Sequence, residues 1–230
     1  MLNQSRGLEE IDRGEVKTEP LYIVCSGPSL RYTIGELTPK PGEIWALNAA
    51  FDYLVKRGIR PDYGVALAPE NAITRYFQTM QSGDKFLFAA QTHPELVDRA
   101  LERGGTVKIW HPAHPAGWDM PTNPVPVYGG GTVGSRVFDL AWVLGYRDVH
   151  LFGMDACISD DDMIACDIPM YDEHRKNLRT FHINGRAFVA MPSHAHQVED
   201  FGALIRPLTG MTVTMYGDGM LQWSQHQESL

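Results

Sequence analysis

Seven short apolar runs recur along this 230-residue chain with helix-patterned stretches between them, and this alternation constrains the fold more than any other feature. The runs are Leu21–Cys25, Ile44–Leu47, Tyr63–Leu67, Lys85–Ala89, Thr106–Trp110, Val149–Phe152 and Thr212–Tyr216. Strands that are apolar throughout have both faces covered, and helical connections between them imply parallel pairing. The pattern predicts an α/β, Rossmann-like fold, a mostly parallel sheet with helices on both faces. The clearest helix runs from Val133 to Leu144, with Val133, Val137, Leu140, Ala141 and Leu144 on one stripe and Arg136 and Asp139 off it. Gly145 ends it.

Two regions break the alternation. His111–Tyr128 carries five prolines and reads as a long loop. Residues 155–191 read as an insert, with a β-hairpin from Thr180 to Met191 turning at Asn184-Gly185. The expected organisation is a loosely packed segment at 1–19, one Rossmann-like domain at 20–216 with its insert at 155–191, and a tail at 217–230.

Composition closes several function classes. A chain with 43% hydrophobic and 21% charged residues is not disordered. No run approaches the length of a membrane span, and the first 20 residues lack the apolar stretch of a signal peptide. A net charge of −8 opposes bulk nucleic-acid binding. Cys25, Cys157 and Cys166 read as reduced thiols, which gives a cytoplasmic expectation. Nothing marks an oligomeric interface.

Four segments carry candidate chemistry. Cys25-Ser26-Gly27-Pro28-Ser29-Leu30 follows the first strand, where Gly27 allows close backbone approach and Ser29 is placed to cap a helix whose free amides favour a phosphate. It reads equally as a tight strand-to-helix turn. Gly129-Gly130-Gly131-Thr132-Val133-Gly134-Ser135 enters the next candidate helix; three glycines in a row cost chain entropy, and a ligand loop is favoured over a hinge. Asp155, in Gly153-Met154-Asp155, sits where a carboxylate accepts sugar or ribose hydroxyls, or caps a turn. Asn48 and Asn71 follow other strands. Ser193-His194-Ala195-His196 precedes a helix expected at about 198–208, and either imidazole suits a general base. His111 and His114 form an H-x-x-H pair without a third ligand, so no metal site is expected. Seven acids between Asp155 and Glu173 give way to Arg175, Lys176, Arg179 and Arg186, which suit an anionic donor or simply neutralise the acids.

Three blocks in order carry a family likeness: Ile23 to Leu30, Asn48-Ala49-Ala50 with Gly58-Ile59-Arg60-Pro61-Asp62, and Gly131 to Asp155. Together they resemble the 6-hydroxymethylpterin diphosphokinase MptE-like group, which is related to bacterial CMP-sialic-acid-dependent sialyltransferases and flagellin-modifying motility accessory factors. The likeness spans about residues 20–216. It implies that Ser26, Gly27, Pro28 and Ser29 hold the donor's phosphate or ribose, and that Asn48 lies beside the nucleotide. Gly130, Gly131, Thr132 and Ser135 would line the second side, and Asp155 the sugar or ribose. His194 corresponds in placement to the sialyltransferase general base, with His196 as fallback. Two positions depart from the pattern. The magnesium-binding acidic motif of the diphosphokinases is reduced here to Glu70 of Ala66–Glu70. The tyrosines that assist the leaving group are represented only by Tyr171, for which Arg175 or Arg179 would substitute.

The leading expectation is therefore a transferase using a nucleotide-activated donor, most simply a metal-independent nucleotide-sugar glycosyltransferase with a small-molecule or glycan acceptor and no required cofactor. The alternatives are an ATP- and magnesium-dependent pyrophosphokinase acting on a pterin-like alcohol, and a catalytically inactive nucleotide-binding module.

Overall fold

The computed structural model describes residues 3, 6–37, 41–113, 124–169 and 175–225. His114, Tyr171 and most of the proline-rich stretch lie outside them. All seven expected strands are present. β1 (Glu9–Glu10) precedes β2 (Leu21–Val24), which leads into the single turn α1 (Leu30–Thr33). β3 (Glu43–Leu47), α2 (Ala49–Val55), β4 (Tyr63–Ala66) and β5 (Lys85–Ala89) follow. Next come α3 (Pro94–Glu102), β6 (Thr106–Pro112), the short β7 (Pro126–Val127), α4 (Val133–Val143) and β8 (Asp148–Phe152).

The sheet order is β6-β5-β4-β3-β2-β8-β13, where β13 is Thr212–Tyr216, and every pairing in it is parallel. β1 and β7 occupy successive stretches of the outer edge of β6. The order runs outward from β2 in one direction and then restarts from β2 with β8. Strand order reverses between these two, which is where open α/β sheets bind ligands.

Alternation along each strand splits the core. Leu21 and Ile23 join one cluster beneath α4, while Tyr22 and Val24 join another beneath α2 and α3. In the second cluster Phe51, Phe77, Phe86 and Phe88 pack in tilted and edge-to-face pairs at centroid distances of 5.0–6.0 Å. Phe77 reaches it from a left-handed backbone conformation (φ 59°). Buried Asp52 of α2 holds the following turn by accepting from the Gln78 and Thr79 amides and the Thr79 hydroxyl, at 3.1, 2.8 and 2.7 Å.

Beyond β8 the chain forms two small antiparallel pairs off the sheet. β9 (Met163–Ala165) pairs with β10 (Ile168–Pro169), and β11 (Arg179–Ile183) with β12 (Arg186–Ala190). The second turns at Asn184-Gly185, both with positive φ (48° and 79°), as a type I′ turn requires.

Three expectations change. The helix placed at about 198–208 is α5, Pro192–Ile205, because Pro192 occupies the first helical position, where its missing N–H costs nothing. The described part of the N-terminal segment is not a loose end. Asn3 donates to the Thr92 carbonyl at 2.7 Å, and the Ile11, Gly14 and Lys17 amides donate to Ile109, Val143 and Gly145. The segment has no long apolar run; main-chain pairing, the Asn3 side chain, ion pairs such as Arg6–Asp98 and buried Ile11 hold it, contacts that hydrophobic pattern does not reveal. Past Tyr216, α6 (Met220–Gln225) buries Met220 and Leu221 in the first cluster, so the described part of the tail belongs to the core. No helix among the described residues is long and apolar enough to cross a membrane.

Asp52→Ala leaves two part-buried amides without their acceptor and frees the turn behind Phe77. It is expected to lower unfolding free energy by about 2–3 kcal/mol in urea titration, in line with the penalty for stranded buried donors. A loss below ~0.5 kcal/mol would show that the turn holds itself.

Candidate active site

The ends of β2 and β8 are drawn together because their ladder continues past both strands. Cys25 N–H donates to Phe152 O at 2.8 Å and Gly27 N–H to Gly153 O at 2.7 Å. A Cβ on Gly27 would sit 2.4 Å from the Gly153 carbonyl oxygen, so only glycine fits this approach. Here the Asp155 carboxylate turns back under the first loop. Its Oδ2 accepts the Ser29 amide at 2.7 Å and its Oδ1 accepts the Ser29 hydroxyl at 2.5 Å. Glycines seal it: Cβ atoms on Gly217 and Gly219 would lie 2.5 Å from Ser29 Oγ and from Asp155 Cα. Asp155 is 2% exposed. Burial pushes its carboxyl up to about 6, against the two Ser29 hydrogen bonds that pull it down.

This changes the reading of the first loop. Asp155 engages Ser29 through both of its oxygens and is a clamp on the loop. The Ser29 hydroxyl points to that carboxylate and makes no cap bond, and α1 is one turn long, so little helix dipole exists there. Ser26 and Gly27 line a cavity at the switch point, while Pro28 and Ser29 face a second cavity on the other side of Asp155.

The second loop does reach the same cavity as Gly27, through its last residues. Thr132 is the N-cap of α4 in a reciprocal capping box: Ser135 N–H donates to Thr132 Oγ1 and Thr132 N–H to Ser135 Oγ, both at 3.1 Å. Ser135 is buried and lies behind the cavity wall. Gly129 (φ 130°) and Gly130 pack on the first turn of α4, where a Cβ would meet Ser135 atoms at 2.6 and 2.8 Å. Two of the three glycines are thus explained by packing. Thr132, Val133 and Gly134 line the cavity, and the first-turn amides of a helix have no intrahelical acceptor.

The cavity measures about 260 Å³. Asn48 enters its wall from the end of β3 with φ 50° and ψ −120°, a conformation that favours glycine, and its Oδ1 is buried without a hydrogen-bond partner. Such strain in a non-glycine residue is characteristic of functional positions. His194 lines the same cavity from the first turn of α5, with Nδ1 buried and unpartnered and burial lowering its pKa. Gln197, one turn on, donates to Thr132 Oγ1 at 2.8 Å and ties α5 to the α4 N-cap. Sequence reasoning missed Gln197; its signal was the i, i+3 spacing from His194, visible only once the helix starts at Pro192. The same geometry turns His196 away: it is exposed and paired with Glu199 at 3.2 Å.

The basic run does not reach the cavity. Arg175 pairs with Asp162 at 2.8 Å, and Arg179 donates to the carbonyls of Lys176 and Leu178; both arginines are exposed. Cys25 and Cys157 line the cavity, but burial pushes their thiols up to about 12 and about 11, which keeps them protonated and poorly nucleophilic at neutral pH. Asn71 begins an exposed 3-10 turn, outside the cavity.

A magnesium-bridged polyphosphate site uses one or two free carboxylates. Asp155 is the single carboxylate among the described residues lining this cavity, and both its oxygens face Ser29. Glu70 is exposed ahead of the 3-10 turn. The residues present do not fit that ion. Among the described residues no group of three or more His, Cys, Asp or Glu side chains is arranged to hold a metal. His111 is buried on β6 with Nε2 3.2 Å from Glu10 Oε1, and His114 lies outside the described residues.

The sequence profile of the 6-hydroxymethylpterin diphosphokinase MptE-like family matches residues 2–161. The chain belongs to this family. Among solved structures, the MAf glycosyltransferase from Magnetospirillum magneticum AMB-1 is similar, with a TM-score of 0.68 and 19% identity over 93% of this chain and 34% of that one. The chain thus spans about a third of that protein's length, and at this identity the likeness establishes the fold. No curated protein sequence matches. The MptE-like region supplies the walls at Gly27, Asn48, Thr132 and Asp155, while His194 and Gln197 come from beyond its end.

The Asp155 clamp predicts a pH signature. A carboxyl near 6 in the folded state and near ~3.9 when unfolded holds its proton longer when folded, so its contribution to stability falls as pH rises from about 4 to about 6. The side-chain amide introduced by Asp155→Asn mimics the protonated form, accepting the Ser29 amide and donating to its hydroxyl. Urea titrations at pH 4 and pH 7 should show the variant gaining on wild type by on the order of 2 kcal/mol. A wild-type-to-variant difference that ignores pH would remove the clamp.

Proposed function

We propose that this MptE-like chain is a transferase acting on a nucleotide-activated donor, and that the donor is a nucleotide sugar. The observation that carries the reading is the convergence of four features on one cavity at the strand-order reversal. These are the end of β2, the strained Asn48, the N-terminus of α4 and the imidazole of His194. Among the described residues no lysine or arginine lines that cavity, so the anion of the donor is held by the Val133 and Gly134 main-chain amides in the first turn of α4. The glycosyltransferase-like fold similarity and the lack of a fitting magnesium site favour a sugar donor over a pyrophosphoryl donor.

In this reading the acceptor hydroxyl attacks the anomeric carbon of the donor. A new C–O bond forms, the bond from that carbon to the phosphate oxygen breaks, and the nucleotide leaves with the electron pair. His194 takes the hydroxyl proton, and the α4 amides stabilise the charge that develops on the departing phosphate. Burial of His194 disfavours imidazolium, so the base stays neutral below the usual histidine range. Family membership also supports a second reading, transfer of pyrophosphate from ATP with magnesium to a pterin-like alcohol.

Thermal stabilisation separates the two. A shift with CMP or another nucleoside monophosphate in EDTA supports the sugar transferase, and a shift only with Mg-ATP supports the pyrophosphokinase. With the donor found, His194→Ala should cut turnover by about 10²–10⁴-fold with donor affinity retained, and His196→Ala should leave both unchanged. The acid limb of kcat/KM should fall below pH ~6.5, the unperturbed histidine value. An unchanged rate in His194→Ala removes the base from the mechanism.

A further inference from the structure

The Asp155 clamp separates two chambers of opposite chemistry. The one containing His194 has main-chain amides and, apart from the clamped Asp155, uncharged side chains around an anion-favouring helix end. The other, about 710 Å³, opens on the far side of Asp155, and the two share Asp155 and Cys157 as a common wall. The larger chamber is rich in charge. Four exposed carboxylates, Asp160, Asp161, Asp162 and Asp218, face two guanidiniums, Arg31 and Arg186.

Neither guanidinium is at liberty for an incoming anion. Arg31 grips Asp161 with two bonds of 2.6 and 2.9 Å. Arg186 lies 3.4 Å from Asp218 and over the rings of Phe188 and Trp223, at 4.7 and 5.2 Å. Asp218 also accepts the hydroxyl of Tyr32, which is 63% exposed. Asp160 has no ion-pair partner among the described residues. Asp162 in turn pairs with Arg175 at 2.8 Å, so the negative charge left over is that of Asp160 beside the Asp155 wall, and the chamber adds several carboxylate acceptors and an apolar patch from Ile158, Leu178 and Phe188. A phosphate or carboxylate is repelled there. Hydroxyl donors meet acceptors, ring C–H faces meet the apolar patch, and an ammonium meets Asp160.

We infer that the larger chamber is the subsite for a hydroxyl-rich, non-anionic acceptor, with an amino sugar its best-matched form; the acceptor role rests on the donor reading above. The two chambers adjoin along Asp155 and Cys157, so an acceptor seated here has to extend past that wall to bring its hydroxyl to His194 and the donor. Nucleotide and acceptor are thus sorted by charge, since the anionic donor is excluded from the acidic side.

The test is an amide-resolved NMR titration of the full chain with glucosamine, glucose and glucuronate in turn, followed by CMP. Glucosamine should give saturable shifts around Arg31, Tyr32, Asp160 and Asp218, glucose weaker ones at the same places, and glucuronate none. Asp160→Lys should weaken glucosamine at least tenfold and admit glucuronate, with CMP affinity unchanged. Glucuronate binding as well as glucosamine, glucosamine moving only Asn48 and His194, or no saturable sugar shift at all would each overturn the inference. The CMP arm is read separately. CMP failing to move Gly27, Asn48 and Thr132 while glucosamine binds would defeat the donor reading and leave a sugar site standing.

Discussion

The molecule is organised around a buried carboxylate that accepts the amide and hydroxyl of one serine. Asp155 closes on Ser29 where the first and sixth long strands of the sheet, β2 and β8, run out side by side. A carboxylate removed from water is costly unless its oxygens are hydrogen-bonded, and here two short bonds from one residue offset part of that cost, burial still raising its carboxyl to about 6. The enclosing glycines are part of the same requirement. Any Cβ at 27, 217 or 219 would push the carboxylate from its partner. With the clamp in place, the β2 turn is held against the start of α6, and cavities remain on either side.

What surrounds the smaller cavity follows from helix periodicity more than from motif. α5 begins at Pro192, so His194 and Gln197 fall on one face, and His196 and Glu199 on another. The first face meets the capping box of α4, which places an imidazole, a strained asparagine and the free amides of a helix end around one space. A neutral base opposite an anion-favouring helix end is suited to moving a proton and a phosphate leaving group in the same step.

The sheet was legible because each strand is apolar on both faces and each covering helix keeps its stripe; α4 and the Asn184-Gly185 turn lie where the residues indicate. That Gly27 and Asn48 lie beside the cavity was legible from their places after strands, and Thr132 and His194 from their places ahead of helices and from the family likeness. The clamp was not, since 126 residues separate Ser29 from Asp155 and a carboxylate after a strand reads the same whether it faces a ligand or a serine. The hydroxyl of Ser135 was misread as ligand-facing because a capping box and a phosphate loop use the same residue types. The N-terminal segment escaped because its attachment is spread over isolated main-chain bonds, ion pairs and the single buried Ile11, and Arg175 and Arg179 because charge runs do not record which partner each cation takes.

The boundary at residue 161 divides the smaller cavity between two consecutive stretches of polypeptide. Everything that fixes the β2–β8 closure from below precedes it, apart from the glycines that lid Asp155, and the imidazole-bearing helix comes after. The family-matched stretch therefore forms most of the cavity walls, and the side chains that complete it, those of His194 and Gln197, are supplied by the polypeptide that follows.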